Sequence, residues 1–211
     1  MKKICLAAAV LLLMCGPAAA EEKSWYPINT GDEFVYNGYF KSKPLNKFKA
    51  TAAVVESRDI DGKRYFFFNV PGFDIRFFAR SDEKAAYMKL VRYPYPLFKF
   101  LSYDVVLKKE IDFVRYPFVD GEKWRRETEG AAMLWPVVIK RKITADFDVT
   151  GPLDAVYKGK AVDAWHVRMI MEIGDKNPME ENHWYVEGIG YVRGDTKQHF
   201  VELEGFRLKT N

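Results

Sequence analysis

Three histidines, His166, His183 and His199, are the only imidazoles in the 211-residue chain, and all stand near its C-terminal end. Imidazole is a common zinc ligand, and three on neighbouring strands suffice for a catalytic metal. The surrounding pattern speaks against one. Strand side chains point alternately to opposite faces. "WHVRMIMEI" therefore sets His166 on the polar face of its strand, whereas His199 shares the parity of Val201 and Leu203 on an apolar one. The side chains point apart, and no metal site is expected. Beyond the first twenty residues the serines are Ser24, Ser42, Ser57, Ser81 and Ser102, none within a Gly-x-Ser-x-Gly elbow,. The carboxylate pairs Asp146 with Asp148 and Glu202 with Glu204 stand two residues apart, on outward strand faces. Acid–base work needs burial or a shaped cleft to split such pKa values, so these read as solvated charges. No catalytic residue, no enzyme activity and no cofactor is expected.

The aromatic residues point elsewhere. "YMKLVRYPYPLFKFLSY", residues 87–103, crowds aromatics and aliphatics around Pro94 and Pro96, with Lys89, Arg92 and Lys99 interspersed. Prolines this close are incompatible with a central strand, so the segment is either a buried crossover or an exposed contact surface. In the second case it forms the lip of an apolar groove, with Phe66, Phe68, Phe77, Tyr93, Phe98 and Phe100 as the ligand-binding set and the basic residues near anionic head groups.

These residues need a scaffold. "MKKICLAAAVLLLMCGPAAA" has two lysines, an apolar run too short to span a bilayer, and small residues at Ala18 and Ala20, the pattern of a secretory signal cleaved before Glu21,. The alternative is an outer-membrane lipoprotein acylated at Cys15, although Met14 stands where a small residue is usual. With residues 1–20 removed, both cysteines (Cys5 and Cys15) are gone and the formal net charge falls from +4 to +2. Disulfides, Cys-zinc sites and thiol catalysis are thereby excluded from residues 21–211, and the interspersed signs give no reason to expect nucleic acid.

Residues 21–211 read as one β-rich domain. "FKATAAVV" sets Phe48, Ala50, Ala52 and Val54 on one face; "FDIRFFAR" does so with Phe73, Ile75, Phe77 and Ala79. "ITADFDV" aligns Ile143, Ala145, Phe147 and Val149, and "WHVRMIMEI" aligns Trp165, Val167, Met169, Met171 and Ile173,. One-sided strands of this kind belong to antiparallel sheets. Turn signals separate them at 59–63, 70–72, 119–122, 157–160 and 174–178. "SDEKAAYMKL" is the best helical stretch, and a turn leading into a strand explains it equally, so little helix is expected beyond the signal.

"YPINTGDEF" begins at Tyr26 and "YPFVDGEKW" at Tyr116, ninety positions later. Each is followed by a long alternating strand, a Gly-Lys turn (Gly62-Lys63, Gly159-Lys160) and a further strand. The recurrence reads as an internal duplication, with halves of about 24–114 and 115–211, each a meander that buries its apolar face on the other. All-β antiparallel meanders packed as a sandwich or a curved open barrel follow. Gly31 and Gly121 are expected at positive φ, with Phe34 and Trp124 as the first anchors of their strands.

The opening "WYPINTGDEFVY" and the ending "NHWYVEGIGYVRGD" resemble a broad, largely uncharacterised group of exported bacterial β-rich proteins and lipoproteins. Members open Tyr/Phe-Pro-Leu-x-x-Gly-x-x-Trp-x-Tyr and close Trp-Tyr-x-x-Gly-Val/Ile-Gly-x-Val. Here the closing motif is Trp184, Tyr185, Gly188, Ile189, Gly190 and Val192. Phe34 replaces the usual tryptophan, and "VYKGKAVDAWHV" the usual Val-Pro-Ala-Gly-x-Phe turn; aromatic anchor and glycine turn are kept. The resemblance implies an exported β fold and no catalytic signature. The expectation is a non-catalytic periplasmic or secreted cell-envelope protein that binds an apolar ligand such as a lipid. Its rival is a structural or assembly partner of another envelope protein.

Overall fold

The alternation seen in the sequence becomes a single antiparallel sheet in the computed structural model, which describes residues 28, 30–69, 76–94, 102–134, 137–175 and 177–209. Among these residues there are thirteen strands and no helix. They are β1 (Glu33–Phe40), β2 (Lys47–Ile60), β3 (Lys63–Asn69), β4 (Arg76–Ser81), β5 (Ala85–Pro94), β6 (Ser102–Arg115), β7 (Lys123–Leu134), β8 (Val137–Tyr157), β9 (Lys160–Ile173), β10 (Met179–Val186), β11 (Gly190–Thr196), β12 (His199–Leu203) and β13 (Phe206–Leu208). "SDEKAAYMKL" is the turn into β5, not a helix.

Each strand from β1 to β11 pairs with its successor, and β12 returns to pair with β1 from Tyr36↔Leu203 to Phe40↔His199. The result is a closed twelve-stranded up-and-down barrel, which corrects the expected sandwich or open curved barrel. A sandwich requires the sheet to part somewhere, and here no two consecutive strands separate. The β1–β12 ladder also removes both sheet edges, which would otherwise expose rows of unpaired backbone groups. β13 lies outside the ring, paired with the end of β8 through Phe206↔Tyr157 and Leu208↔Ala155.

Eight strands make a barrel that side chains just fill, so twelve leave a wider interior. Large rings occupy it: Trp124 stacks on Phe147 at 4.7 Å, Phe118 on Trp165 at 5.5 Å, and Phe68 on Phe77 at 4.9 Å. Ala79, Ala86 and Ala145, all fully buried, make room for them. Burying one such ring removes about 150–250 Å² from water, and this is the main source of the barrel's stability.

The outer wall carries charge where the alternation demands it. Across β7 to β10, Arg125 pairs with Asp146 (3.2 Å), Lys142 with Glu127 (3.0 Å), Lys123 with Asp148 (3.0 Å) and Arg168 with Glu180 (2.8 Å). A lipid-facing barrel wall has the opposite polarity, apolar outside and polar within. Farther round, Tyr39 stacks on Phe200, and the Arg193 guanidinium sits 4.7 Å from the Phe200 ring and 4.8 Å from that of Trp184. On β3 to β5 the outer rings Tyr65, Phe67 and Phe78 are themselves buried. The arginine heads of Arg58 and Arg92 lie over Phe78 and Phe67. Beside them Glu110 accepts hydrogen bonds from Lys63 (2.6 Å), Tyr65 (2.5 Å) and Arg80 (2.7 Å).

One junction is built differently. The β6–β7 ladder covers only Val105↔Ala132, Val106↔Ala131 and Leu107↔Gly130. Below it, side chains bridge to the neighbouring strand. Thr128 Oγ1 accepts from the Lys109 N–H and donates to its carbonyl (2.9 and 3.0 Å), Trp124 Nε1 donates to the Asp112 carbonyl (3.0 Å), and Arg126 grips the buried Asp112 carboxylate (2.5 and 2.7 Å).

The two ends of the barrel also differ. At one end two of the connections are tight glycine hairpins, and the longest, residues 116–122, carries the buried Tyr116 and Phe118. Asp61-Gly62 and Lys158-Gly159 both have positive φ at each residue, the two-residue hairpin turn that matches strand twist,. At the other end the strands are joined by residues 41–46, 70–75, 95–101, 135–136, 174–178 and 197–198, of which 70–75, 95–101, 135–136 and 176 lie outside the described residues.

Candidate functional site at the loop end of the barrel

Inner-face positions near the glycine-turn end are sealed. Val149 and Tyr185 are buried there with Tyr116, Phe118 and Trp124. Towards the loop end the inner positions open. Phe40, which ends β1, is 40% exposed, and Val137, which begins β8 on the parity of Ile143, is 56% exposed. The mouth of a barrel is a usual place for a ligand.

Two facing sectors line this mouth. In the ring, β4 and β10 are six strands apart in either direction. On the first side stand Phe66, Phe68 and Phe77: Phe68 is only 3% exposed, Phe66 and Phe77 are half-buried, and all three belong to the main core. Phe67 and Phe78 face outwards, as alternation requires. Tyr93 is placed in β5 opposite Tyr103; its side chain, and Phe98 and Phe100 altogether, lie outside the described residues. The structure thus brings together three of the six aromatics singled out from the sequence.

The second sector was not anticipated. Glu181, His183 and Tyr185 share the inner face of β10 and form a column from the rim inwards. His183 Nε2–H donates to Glu181 Oε2 at 3.1 Å, and Nδ1 lies 3.4 Å from the Tyr185 hydroxyl. Glu181 is registered opposite Thr196 of β11, and His183 opposite Gly194. The Tyr191 ring stands edge-on to His183 at 5.5 Å and passes over Gly194, where no larger residue fits. On β12, His199 Nδ1 lies 3.2 Å from Thr196 Oγ1, and His199 is registered opposite Phe40, whose ring is 5.1 Å from Phe48. His166 is outside the barrel, stacked on Trp184 at 4.7 Å and 2.9 Å from Asn182 Oδ1. The histidines do point apart in part, since His166 is separated from the others; His183 and His199, however, share one interior.

Burial by itself pushes the Glu181 carboxyl up, but the His183 hydrogen bond and the charges of both neighbouring imidazoles outweigh it and hold Glu181 below the usual carboxylate range. Burial holds His199 below the ordinary imidazole value, as it does His166. At neutral pH this sector therefore presents the ionised Glu181 carboxylate, with the neutral His199 ring and the Thr196 and Tyr185 hydroxyls in the same interior. Among the described residues no group of three or more His, Cys, Asp or Glu side chains is disposed to hold a metal ion. Ser81 and Lys84 stand at Ser-x-x-Lys spacing, yet Lys84 is exposed beside Glu83 and the Ser81 hydroxyl is buried without a hydrogen-bond partner, so no activated serine forms. Asp146, Asp148, Glu202 and Glu204 lie on the outer face, each near a basic partner.

The parity of His183 with Tyr185 was readable in "NHWYV", but the register that sets Glu181 across from Thr196, and His199 next along, is not local information. Two shallow concavities mark the outer wall. One of about 510 Å³ is floored by Val106, Ala131 and Val138 beside the Arg92–Asp104 ion pair; the other, of about 340 Å³, lies over Arg125, Asp146 and Arg168. The chain matches no family model, no curated protein and no solved structure.

Proposed function

We propose that this is an exported, non-catalytic cell-envelope protein that binds an apolar or amphipathic ligand such as a lipid at the loop end of its barrel. The observation that carries the reading is the difference between the two ends. One is closed by glycine turns over packed aromatics; the other has exposed inner-face Phe40 and Val137 above the Phe68–Phe77 stack. Ligand sites are concave and mostly apolar with a few placed polar groups, and this mouth has that composition. The leader-like residues 1–20 support export, and the charged outer wall suits an aqueous compartment.

Native mass spectrometry of the purified protein, with titration of an uncharged apolar dye, tests the proposal. A co-purifying apolar mass and saturable one-to-one dye binding, weakened by truncating the 40% exposed Phe40 (Phe40→Ala) in a chain that stays folded, are expected. An empty chain with no saturable binding overturns it. A second reading, an envelope-protein partner, draws on the exposed Val106 and Val138 of the outer groove. It takes precedence if the empty chain is recovered as a stable complex that Val138→Asp dissociates.

A further inference from the structure

We infer that the β10–β12 sector of the mouth is a subsite for a protonated amine, so that the ligand is an amphipath with a cationic rather than an anionic head. This rests on the mouth-binding reading above and deepens it. Among the described residues on this sector's inner face, Glu181 is the carboxylate, about one-third exposed at the rim and fixed by His183. Opposite it on β11 is Thr196, and along the same inner wall follow His199 on β12 and, opposite His199, Phe40 on β1. A partly desolvated carboxylate attracts an ammonium group, and aromatic rings along the same wall add to the attraction through their quadrupoles. The rim lysine nearest in sequence, Lys41, is drawn away to Asp195 at 2.5 Å, on the outer-face parity of β11. An anionic head would meet the Glu181 charge, and like charges this close repel strongly in a partly desolvated site.

The corresponding strands of the first six strengthen the inference. Their inner positions hold Phe77, Ala79, Ala86 and Met88, so a barrel of this design does not need acid and imidazole there. A polar cluster costs stability unless it is satisfied, and its presence where an apolar filling works points to a ligand.

Three single-chain amphipaths with the same dodecyl tail decide the matter: dodecyltrimethylammonium, dodecyl maltoside and dodecyl sulfate, each below its micellar concentration and displacing the dye from the parent protein. The ammonium head is expected to bind at least about tenfold more tightly than the sulfate, and Glu181→Gln to remove most of that preference while leaving the maltoside unchanged. Equal or reversed affinities for the charged heads overturn the amine subsite while mouth binding stands. So does an equal effect of Glu181→Gln on all three. If none displaces the dye, both the subsite and the mouth-binding reading fall.

Discussion

Strands β1 to β6 and β7 to β12 make an internal comparison, because β1 begins at Glu33 and β7 at Lys123, ninety residues apart. At both openings a glycine with positive φ starts the same pair of hydrogen bonds. Gly31 N–H reaches the Val54 carbonyl and Val54 N–H the Asp32 carbonyl; Gly121 N–H reaches the Val149 carbonyl and Val149 N–H the Glu122 carbonyl, all at 2.9 Å. The hairpins at Asp61-Gly62 and Lys158-Gly159 also agree. What differs is the filling. The first six strands put rings on both faces of β3 and β4, with the outer ones covered by arginines. The second six put ion pairs outside β7 to β9 and an acid–imidazole column inside β10. The shared turns set the architecture, the side chains between them are free to diverge, and the divergence concentrates at the mouth.

The largest expected asymmetry lies in the two anchors. Trp124 is 6% exposed, stacked on Phe147 and hydrogen-bonded across the β6–β7 junction, whereas Phe34 at the matching position is only partly buried. Trp124→Ala should cost about 3–5 kcal/mol in urea unfolding, and Phe34→Ala clearly less, about 1–3 kcal/mol. Equal losses would mean that the halves carry the core evenly.

The turn glycines should instead behave alike. A Cβ at Gly31 or Gly121 meets nothing within 4 Å, so only the backbone conformation, φ +97° and +77°, penalises a side chain. Gly31→Val and Gly121→Val are each expected to lower stability by about 1–3 kcal/mol, a β-branched residue being ill suited to positive φ. Thermal melts overlaying the parent's would remove the turn from the correspondence.

The smallest effect is a pH profile that separates the halves. His166 and His199, both in the second half, are held below the ordinary imidazole value, so in acid the unfolded chain takes up protons that the folded one refuses. Their contribution is present above about pH 6.5 and is lost as pH falls through the folded values,. In the first half Glu110 is desolvated, which raises its pKa, yet Arg80, Lys63 and Tyr65 bring it down to about 2, and Asp82 is lowered by Arg80 and two backbone N–H groups. Those contributions are present above the usual carboxylate range and disappear only in stronger acid. For Glu110, after allowance for solvent screening, the effect is on the order of 1–2 kcal/mol. Urea midpoints should therefore fall in two stages: His199→Gln flattens the one nearer neutrality, and Glu110→Gln the one below about pH 4. A single stage that neither substitution moves would dissolve the distinction.

By itself the sequence determined which side chains share a face and where the chain turns. Ile143, Ala145, Phe147 and Val149 point inwards and Asp146 and Asp148 outwards because strand alternation is a covalent property of neighbouring residues. Gly31, Gly62, Gly121 and Gly159 turn where they do because only glycine adopts positive φ without strain. Closure into a barrel was decided by tertiary structure, since the β1–β12 ladder joins segments far apart in the chain, and nothing local tells an open edge from a paired one. The mouth was decided the same way. Glu181 and His183 are two residues apart in sequence, but their meeting with Thr196, His199 and Phe40 depends on the register of four strands, and register is settled by packing the whole inner face at once.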